Sequence, residues 1–435
     1  MTDTRTAELL RVAAFRRLWT GDLVARLGHQ IAQFMLPLTA LTALQAGASD
    51  VGLVSASQTV PVIALSLVAG VAADRVPTRT LVVACNALRA TGFGLLGLVY
   101  ALSGLELWLL IATAVLIGSA TVFYDVGYQA TVPRVLTVEQ LAAGNGFLQA
   151  GISATQMAGP ALAGFLVQSA GLPTALAVTA LLFVAAVVSF WTLDAQDRGR
   201  DLTKARALPL AEGLRFTWRC RPIRDLCVQS GLFNLHEQAF LTVFLIYGVR
   251  SAGMSGGEVG LVIGAAGVGA LTGALVTGHR AERLHAGRSV LVGLFAAALA
   301  LLVPTLFAAQ SRFVVVAVFL AGFFLNGFAQ SLYNVFVVSL RQAIPPQEYL
   351  GAVTASYRLV SFGPMPLGAL LGGALADLLG AGGALRVVAL SMLVCSLFIL
   401  PSPVRRFRTV RDARTGQRTE PQPPAPDRPE REAAS

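Results

Sequence analysis

Charge is scarce in this chain. Only 13% of its 435 residues are Asp, Glu, Lys or Arg, where soluble globular domains carry about 25%, so a surface that faces water all round cannot be assembled from it. Cysteine is sparse too. Cys85, Cys220, Cys227 and Cys395 show neither CxxC nor zinc-ligand spacing, which argues against a disulfide scaffold and a metal site. No Walker loop is present, so ATP does not drive the protein directly. No nucleophile, base and orienting group stand at catalytic spacing, which ranks enzyme chemistry last, and no cofactor is implied. The strand alternation of a membrane barrel is also missing. What remains is apolar: 55% of residues are hydrophobic and the mean hydropathy is +0.68. The net charge of +10 does not signal nucleic acid, because the arginines sit in short clusters between apolar runs, as membrane topology demands.

The chain repeats itself at an offset of roughly 208 residues. Asp50-Val-Gly-Leu-Val54 returns as Glu258-Val-Gly-Leu-Val262, Gly70 to Arg75 as Gly278 to Arg283, and Tyr124-Asp125-Val126 as Tyr333-Asn334-Val335. One offset held through apolar runs and charged loops alike marks duplication of a structural unit. Parallel repeats of this kind build transporter halves around an axis along the membrane normal.

A helix needs about 20 residues to cross the hydrocarbon core. On that ruler twelve spans begin near Leu18, Val51, Thr80, Glu106, Leu141, Pro173, Arg224, Val259, Ser289, Phe313, Leu350 and Ala384. The expected fold is therefore an all-α membrane protein of twelve helices in two pseudo-symmetric six-helix bundles. Its parts are an N-terminal segment (1–17), a first bundle (18–193), a linker (194–223), a second bundle (224–401) and a disordered tail (402–435). Assigning alternate loops to the inside collects Arg75, Arg79, Arg134, Arg280, Arg283, Arg288 and Arg341 there. Both termini are then cytoplasmic, in a multi-pass protein of the plasma or inner membrane. The stretch from Asp194 to Arg224 inclusive holds Lys204 and seven arginines and predicts a short amphipathic helix near Leu210 to Trp218. The tail, rich in Pro, Arg and Glu, cannot bury a core, and its first arginines are expected on anionic lipid.

Polar residues inside the spans carry the functional expectation. Asp22, Arg26, His29, Gln30 and Gln33 share one stripe of the first helix. Through the repeat, His29 and Gln30 correspond to Glu237 and Gln238 in the seventh, with Asn234 one turn earlier. Each charge at membrane depth costs about 2.5 to 3.5 kcal/mol on insertion scales, so such groups mark a pathway or a pair. On the functional reading Glu237 takes and releases a proton as the cavity alternates, and His29 relays it or binds substrate. On the other reading these groups hold helices together, Asp22 bridging to Arg26 at a helix start. Arg89 and Arg358 stand two turns inside their spans, where long side chains snorkel. Arg26 and Arg358 turned inward would favour an anionic or zwitterionic substrate. His236 is expected to be a packing residue. The glycines of helix eight read as small-residue packing, since no strand precedes them.

Gly70-x-x-x-Asp74-Arg75-x-x-x-Arg79 resembles the loop motif of the major facilitator superfamily, with Pro77 where Gly is common and Thr78 where a base is common. Gly159-Pro160 with Gly164 in the fifth helix resembles the glycine-proline motif of that superfamily's antiporters. Phe15 to Trp19 with Gly21 and Gly28, together with Phe123 to Gln129 and Pro133, is similar to its drug and siderophore exporter branch. His29 departs from the small or acidic residue usual after that glycine. Asp125 is expected at the cytoplasmic end of helix four, within reach of Arg75 or Arg79, forming a latch that must break when that side opens. Glu282-Arg283 with neutral Asn334 would be its weaker counterpart. Gly159, Pro160 and Gly164 would bend helix five into close contact.

The expectation is a monomeric secondary transporter that exports an amphipathic small molecule in exchange for protons, with helices one, four, seven and ten lining the cavity. Its partners are substrate, protons and membrane lipid, not nucleic acid. Uptake of an organic anion without proton antiport, and a non-transporting receptor or scaffold, stay open as alternatives.

Overall fold

The computed structural model describes residues 12–102, 104–136, 138–192, 210–280, 283–410 and 412. Among these residues it is helical throughout, with no strand. In chain order the helices are α1 (Ala13–Thr42), α2 (Ala48–Arg75), α3 (Thr78–Leu102), α4 (Leu107–Val135), α5 (Val138–Trp191), α6 (Leu210–Arg219), α7 (Arg221–Ile246), α8 (Gly256–Arg280), α9 (Ala286–Thr305), α10 (Arg312–Ala343), α11 (Leu350–Phe362) and α12 (Met365–Cys395). Most of the expected N-terminal segment (1–11), the linker from 193 to 209, Glu282 and the tail from 413 to 435 lie outside the described residues.

Nine segments among the described residues are long and apolar enough to cross a membrane. Two of them, of 45 and 50 residues, are roughly 68 and 75 Å long at helical rise, about twice a hydrocarbon core. Each is broken where doubling back requires it. Gly171 has φ 78°, ψ 165° and Gly380 φ 69°, ψ 154°, a region that only glycine enters without strain. The described residues therefore hold between nine and twelve apolar helices. The count depends on these two breaks and on α1, a 30-residue helix loaded with Arg16, Arg17, Asp22 and Arg26. Lipid suits the outer face, where Leu102, Trp108, Trp191, Phe313 and Leu378 are exposed.

Helix starts follow local capping. The Asp50 carboxylate accepts the Gly47 amide at 3.0 Å, and in the repeat Glu258 accepts the Ser255 amide at 2.7 Å. α1 begins a turn earlier than the apolar run because Phe15 is as fully buried as Leu18. The linker helix, α6, docks on α11: Phe216 stacks on Tyr349 at 4.8 Å between ring centroids. The first tail residues return to α9, whose Ala286 and Gly287 amides donate to the Arg408 and Phe407 carbonyls at 3.0 and 2.9 Å. The expectation of disorder from residue 402 thus fails for its opening stretch, because the first amides of α9 need acceptors.

Two seams join the first half of the chain to the second. Along α5 and α8, Gly164 faces the Gly256 carbonyl, Gly260 the Pro160 carbonyl, and Gly264 and Gly267 face Met157. Along α2 and α12, Gly52 faces the Ala369 carbonyl and Gly373 the Ala48 carbonyl. Missing side chains let the backbones meet. α5 runs helically through Gly159 and Pro160 and departs from helical angles only at Gly171. The expected bend is therefore a close-packed seam, with Gly159 against Gln30 of α1. The small-residue reading of α8 holds, its Gly269 and Gly273 meeting the backbone of Phe324 and Phe328 on α10.

Candidate functional site

The polar stripe of α1 faces two cavities between the halves. The larger, about 330 Å³, is lined by Arg26, His29, Gln30 and Gln33 of α1, Arg89 of α3, Thr121, Tyr124 and Asp125 of α4, Ile152, Thr155 and Gln156 of α5, and Phe362 of α11. The smaller, about 190 Å³, adds Gln58 of α2 and Gln238, Leu241, Thr242 and Leu245 of α7 to Gln30, Gln33 and Gln156. The three glutamines common to both make them neighbouring chambers. Small-molecule sites usually enclose about 300–1,000 Å³, so the larger chamber alone reaches the lower end of that range. Helices one, four and seven contribute as expected. Helix ten does not line these two chambers, because its inner aromatics, Phe319 and Phe323, pack on Phe244 of α7 at 4.9 and 4.8 Å.

A charged cluster forms the wall of the larger chamber. Asp22, 2% exposed, accepts the Arg26 Nε at 2.9 Å and the Tyr124 hydroxyl at 2.8 Å. The bridge between Asp22 and Arg26 matches the packing reading of these groups, but in a buried rather than a solvated setting. Arg26 continues to Asp125, whose carboxylate is 3.7 Å from its Nη2, and its guanidinium lies 5.5 Å from the Tyr128 ring centre. His29 Nδ1 is 3.4 Å from the Thr121 hydroxyl. Removing one member of such a buried pair typically costs about 3–5 kcal/mol where the partner is left uncompensated.

The repeat reproduces this geometry without its charge. Ser230, Asn234 and Asn334 stand where Asp22, Arg26 and Asp125 stand in the first half. The Tyr124–Asp22 bond returns as Tyr333 and Ser230 sharing a hydrogen bond at 2.8 Å, with the Tyr357 hydroxyl donating to Ser230 at 2.8 Å. Asn234 donates instead to the Ser361 carbonyl at 2.8 Å.

Several expected meetings do not occur. Asp125 is turned to Arg26, while Arg79 donates to the Trp191 carbonyl and lies over that indole at 5.6 Å. Arg75 is exposed. The latch from Arg75 or Arg79 to Asp125 is therefore not formed in this arrangement. Arg79, on the first turn of α3, reaches the negative end of α5, a favourable placement for a cation, and Asp125 faces inward. Nothing is described of the Asp74 side chain or of Glu282, so the paired gate of Gly70, Asp74, Glu282 and Arg283 lies partly outside the described residues. Arg358 is exposed and does not enter the chambers. Its neighbour Tyr357 takes the inner face of α11, with Arg341 over its ring at 4.0 Å.

Glu237 and His29 do not share a chamber. Glu237 accepts Gln330 Nε2 on both carboxylate oxygens at 2.8 and 2.9 Å and lines neither cavity, while the next residue, Gln238, lines the smaller one. One residue is about 100° of helix, which suffices to turn Glu237 toward α10. His236 packs as expected, its Nδ1 donating to the Leu232 carbonyl at 2.7 Å.

Sequence reasoning missed two groups. Arg89 does not snorkel: at 1% exposure it is among the most buried large side chains of the protein. Asp377 bridges the halves, its carboxylate accepting the Ala48 and Ser49 amides at 3.2 and 2.9 Å together with the Ser49 hydroxyl. It caps the positive end of α2 from α12. The repeat offset held the signal, since Gln168 is its counterpart and lies beside Gly257 at the start of α8. Arg250 adds a bond to the Ala46 carbonyl at the same end.

Among known proteins, the chain is 24% identical over 407 residues to the multidrug efflux pump Tap of Mycolicibacterium fortuitum, covering 91% of this chain and 95% of that one. It is 26% identical over 402 residues to the Tap pump of Mycobacterium tuberculosis, covering 89% and 92%. Solved structures share the fold at low identity. A POT family transporter in complex with a thioalcohol-conjugated peptide aligns with TM-score 0.70 at 13% identity over 89% of this chain and 95% of its own. A bacterial homologue of the iron transporter ferroportin in an inward-facing state aligns with TM-score 0.68 at 20% identity over 90% and 98%. The family model described as transmembrane secretion effector matches residues 5–425. The chain is thus a multi-pass membrane transporter, not an enzyme, and belongs to the transmembrane secretion effector family of the major facilitator superfamily.

Proposed function

We propose that this transporter exports an amphipathic small molecule from the cytoplasm by alternating access, in exchange for protons. The observation that carries the reading is a pair of adjoining chambers at the junction of the halves, lined by ionisable and amide side chains. Beside them, the glycine seams and the Asp377 cap hold together the end near the 43–47 loop. Gly171 and Gly380 divide the long runs and α1 adds a span, giving twelve spans in two six-helix bundles. Both termini then face the cytoplasm, the seamed end faces outside, and the arrangement is open to the cytoplasm. The relatives named as multidrug efflux pumps, matched along nine-tenths of the chain, support export of drug-like compounds.

Glu237 is the proton carrier in this reading. A carboxylate within a span is kept only where it serves, and Gln330 is a neutral partner that can hold it in either protonation state. In inverted membrane vesicles an imposed proton gradient should drive accumulation of a fluorescent amphipathic dye, and Glu237→Gln should remove the dependence on the gradient. Gradient-driven accumulation in that variant equal to wild type removes Glu237 from the scheme. No gradient-driven movement of any dye by wild type removes proton antiport.

A further inference from the structure

Arg89 lines the larger chamber and carries two buried donors that have no partner. Its Nη1 donates to the Asn86 side-chain carbonyl at 3.3 Å, and Asn86 is itself fixed by donating to the Val82 carbonyl at 2.9 Å. The Tyr124 and Phe183 rings lie 4.8 and 5.6 Å from the guanidinium carbon and shield it with their π-faces. The remaining nitrogens, Nε and Nη2, have no hydrogen-bond partner. These two N–H groups form one edge of the guanidinium, the parallel pair that engages both oxygens of a carboxylate at once.

No described residue supplies that carboxylate as a hydrogen-bond partner. Asp22 is occupied by Arg26 and Tyr124, and Asp125 turns to Arg26. A buried donor without an acceptor is costly, and an arginine held so by its own asparagine and two rings is ready for an acceptor from outside. Around it, Thr121 and Gln156 offer further polar contacts, and Ile152 and Phe362 offer apolar ones.

We propose that Arg89 binds the anionic group of the transported molecule, a carboxylate, so that the cargo class is an amphipathic organic acid; this rests on the export reading above. Asn86 is the positioning residue that aims the edge. The Nε and Nη2 pair takes the carboxylate, and the apolar part lies toward Phe362 and the smaller chamber.

The test uses the full-length protein in phosphatidylcholine nanodiscs, which offer no anionic headgroup. The probes are dansylaminoundecanoic acid and its methyl ester, titrated by fluorescence. Wild type should bind the acid about 10- to 100-fold more tightly than the ester. Arg89→Gln should bring that ratio close to one by weakening the acid far more than the ester. Arg89→Lys, which keeps the charge without the fork, should fall between, and it carries the test if Arg89→Gln does not fold. An acid-to-ester ratio near one in wild type, or a ratio that survives both substitutions, overturns the assignment. Gradient-driven transport of the ester with no preference for the acid sinks this assignment and leaves export standing. An Arg89-dependent acid preference without gradient-driven movement supports the assignment and removes proton antiport.

Discussion

Replacing Gly260 by alanine adds a single methyl group and should open the seam between α5 and α8. In an unobstructed helix that change stabilises by roughly 0.5–1 kcal/mol, a gain that applies to every arrangement of the halves and cancels between them. At Gly260 the methyl would also press on the Pro160 carbonyl group, whose carbon would be 2.8 Å away and the Ala161 Cα 3.2 Å. Carbon pairs rest at about 3.5–4.0 Å, and the obstacle is helical backbone that cannot rotate aside. The helices must part by roughly 1 Å. Overpacking of this order costs about 1–3 kcal/mol, borne only by the arrangement in which the seam is shut. The ratio of shut to open molecules should fall by about 5- to 150-fold. Spin labels at Ser169 on α5 and Ser251 in the turn that joins α7 to α8, both exposed, would report this by pulsed electron resonance on a background without the native cysteines. Gly278→Ala on the same helix, where a methyl meets nothing within 4 Å, is the control. Gly260→Ala should show a new, longer distance population and reduced transport, and Gly278→Ala should show neither. Identical distance distributions and transport in the two variants would refute the claim that this seam governs closure.

Asp377→Asn removes the charge and one of the two acceptor oxygens from the cap across the halves, worth about 1 kcal/mol, so a thiol at position 48, buried in the closed end, should react roughly fivefold faster with a membrane-impermeant maleimide. An unchanged rate would show that the cap does not hold that end. Asp22→Asn leaves Arg26 with only its 3.7 Å contact to Asp125, and Tyr124→Phe removes one hydrogen bond, worth about 1 kcal/mol. Melting of the detergent-solubilised protein should therefore rank wild type above Tyr124→Phe and Tyr124→Phe above Asp22→Asn. The reverse order would mean that the carboxylate is not what the tyrosine serves.

The chain wrote its duplication, its apolar spans and the superfamily openly, because lipid imposes length and hydrophobicity on every span and the loop motifs survive in linear order. The i, i+4 pairing of Asp22 with Arg26 was legible for the same reason, since helical geometry alone brings them together. Contacts between helices were not. Whether Arg89 snorkels or turns inward depends on the rotation of α3 against α4 and α5, and both outcomes fit one sequence position near a helix end. Arg358 went outward because Tyr357, one residue earlier, claims the inner face. Asp125 was assigned by proximity along the membrane normal, and in this arrangement its azimuth around α4 turns it to Arg26 rather than Arg79. Glu237 illustrates the same limit, being mid-span as read yet facing α10 rather than the chamber. Asp377 was within reach of the repeat, whose register sets it opposite Gln168.

The two tyrosines that mirror each other, Tyr124 and Tyr333, finish on unlike acceptors, an ionised network in one case and a hydroxyl in the other. Ionic strength and membrane voltage act on formal charge and leave neutral hydroxyls nearly untouched. The contact that Tyr124 makes is thus exposed to the electrical condition of the bilayer, while the one that Tyr333 makes is an uncharged bond. At this one matched position, two copies of one ancestral unit have come to respond differently to salt and voltage.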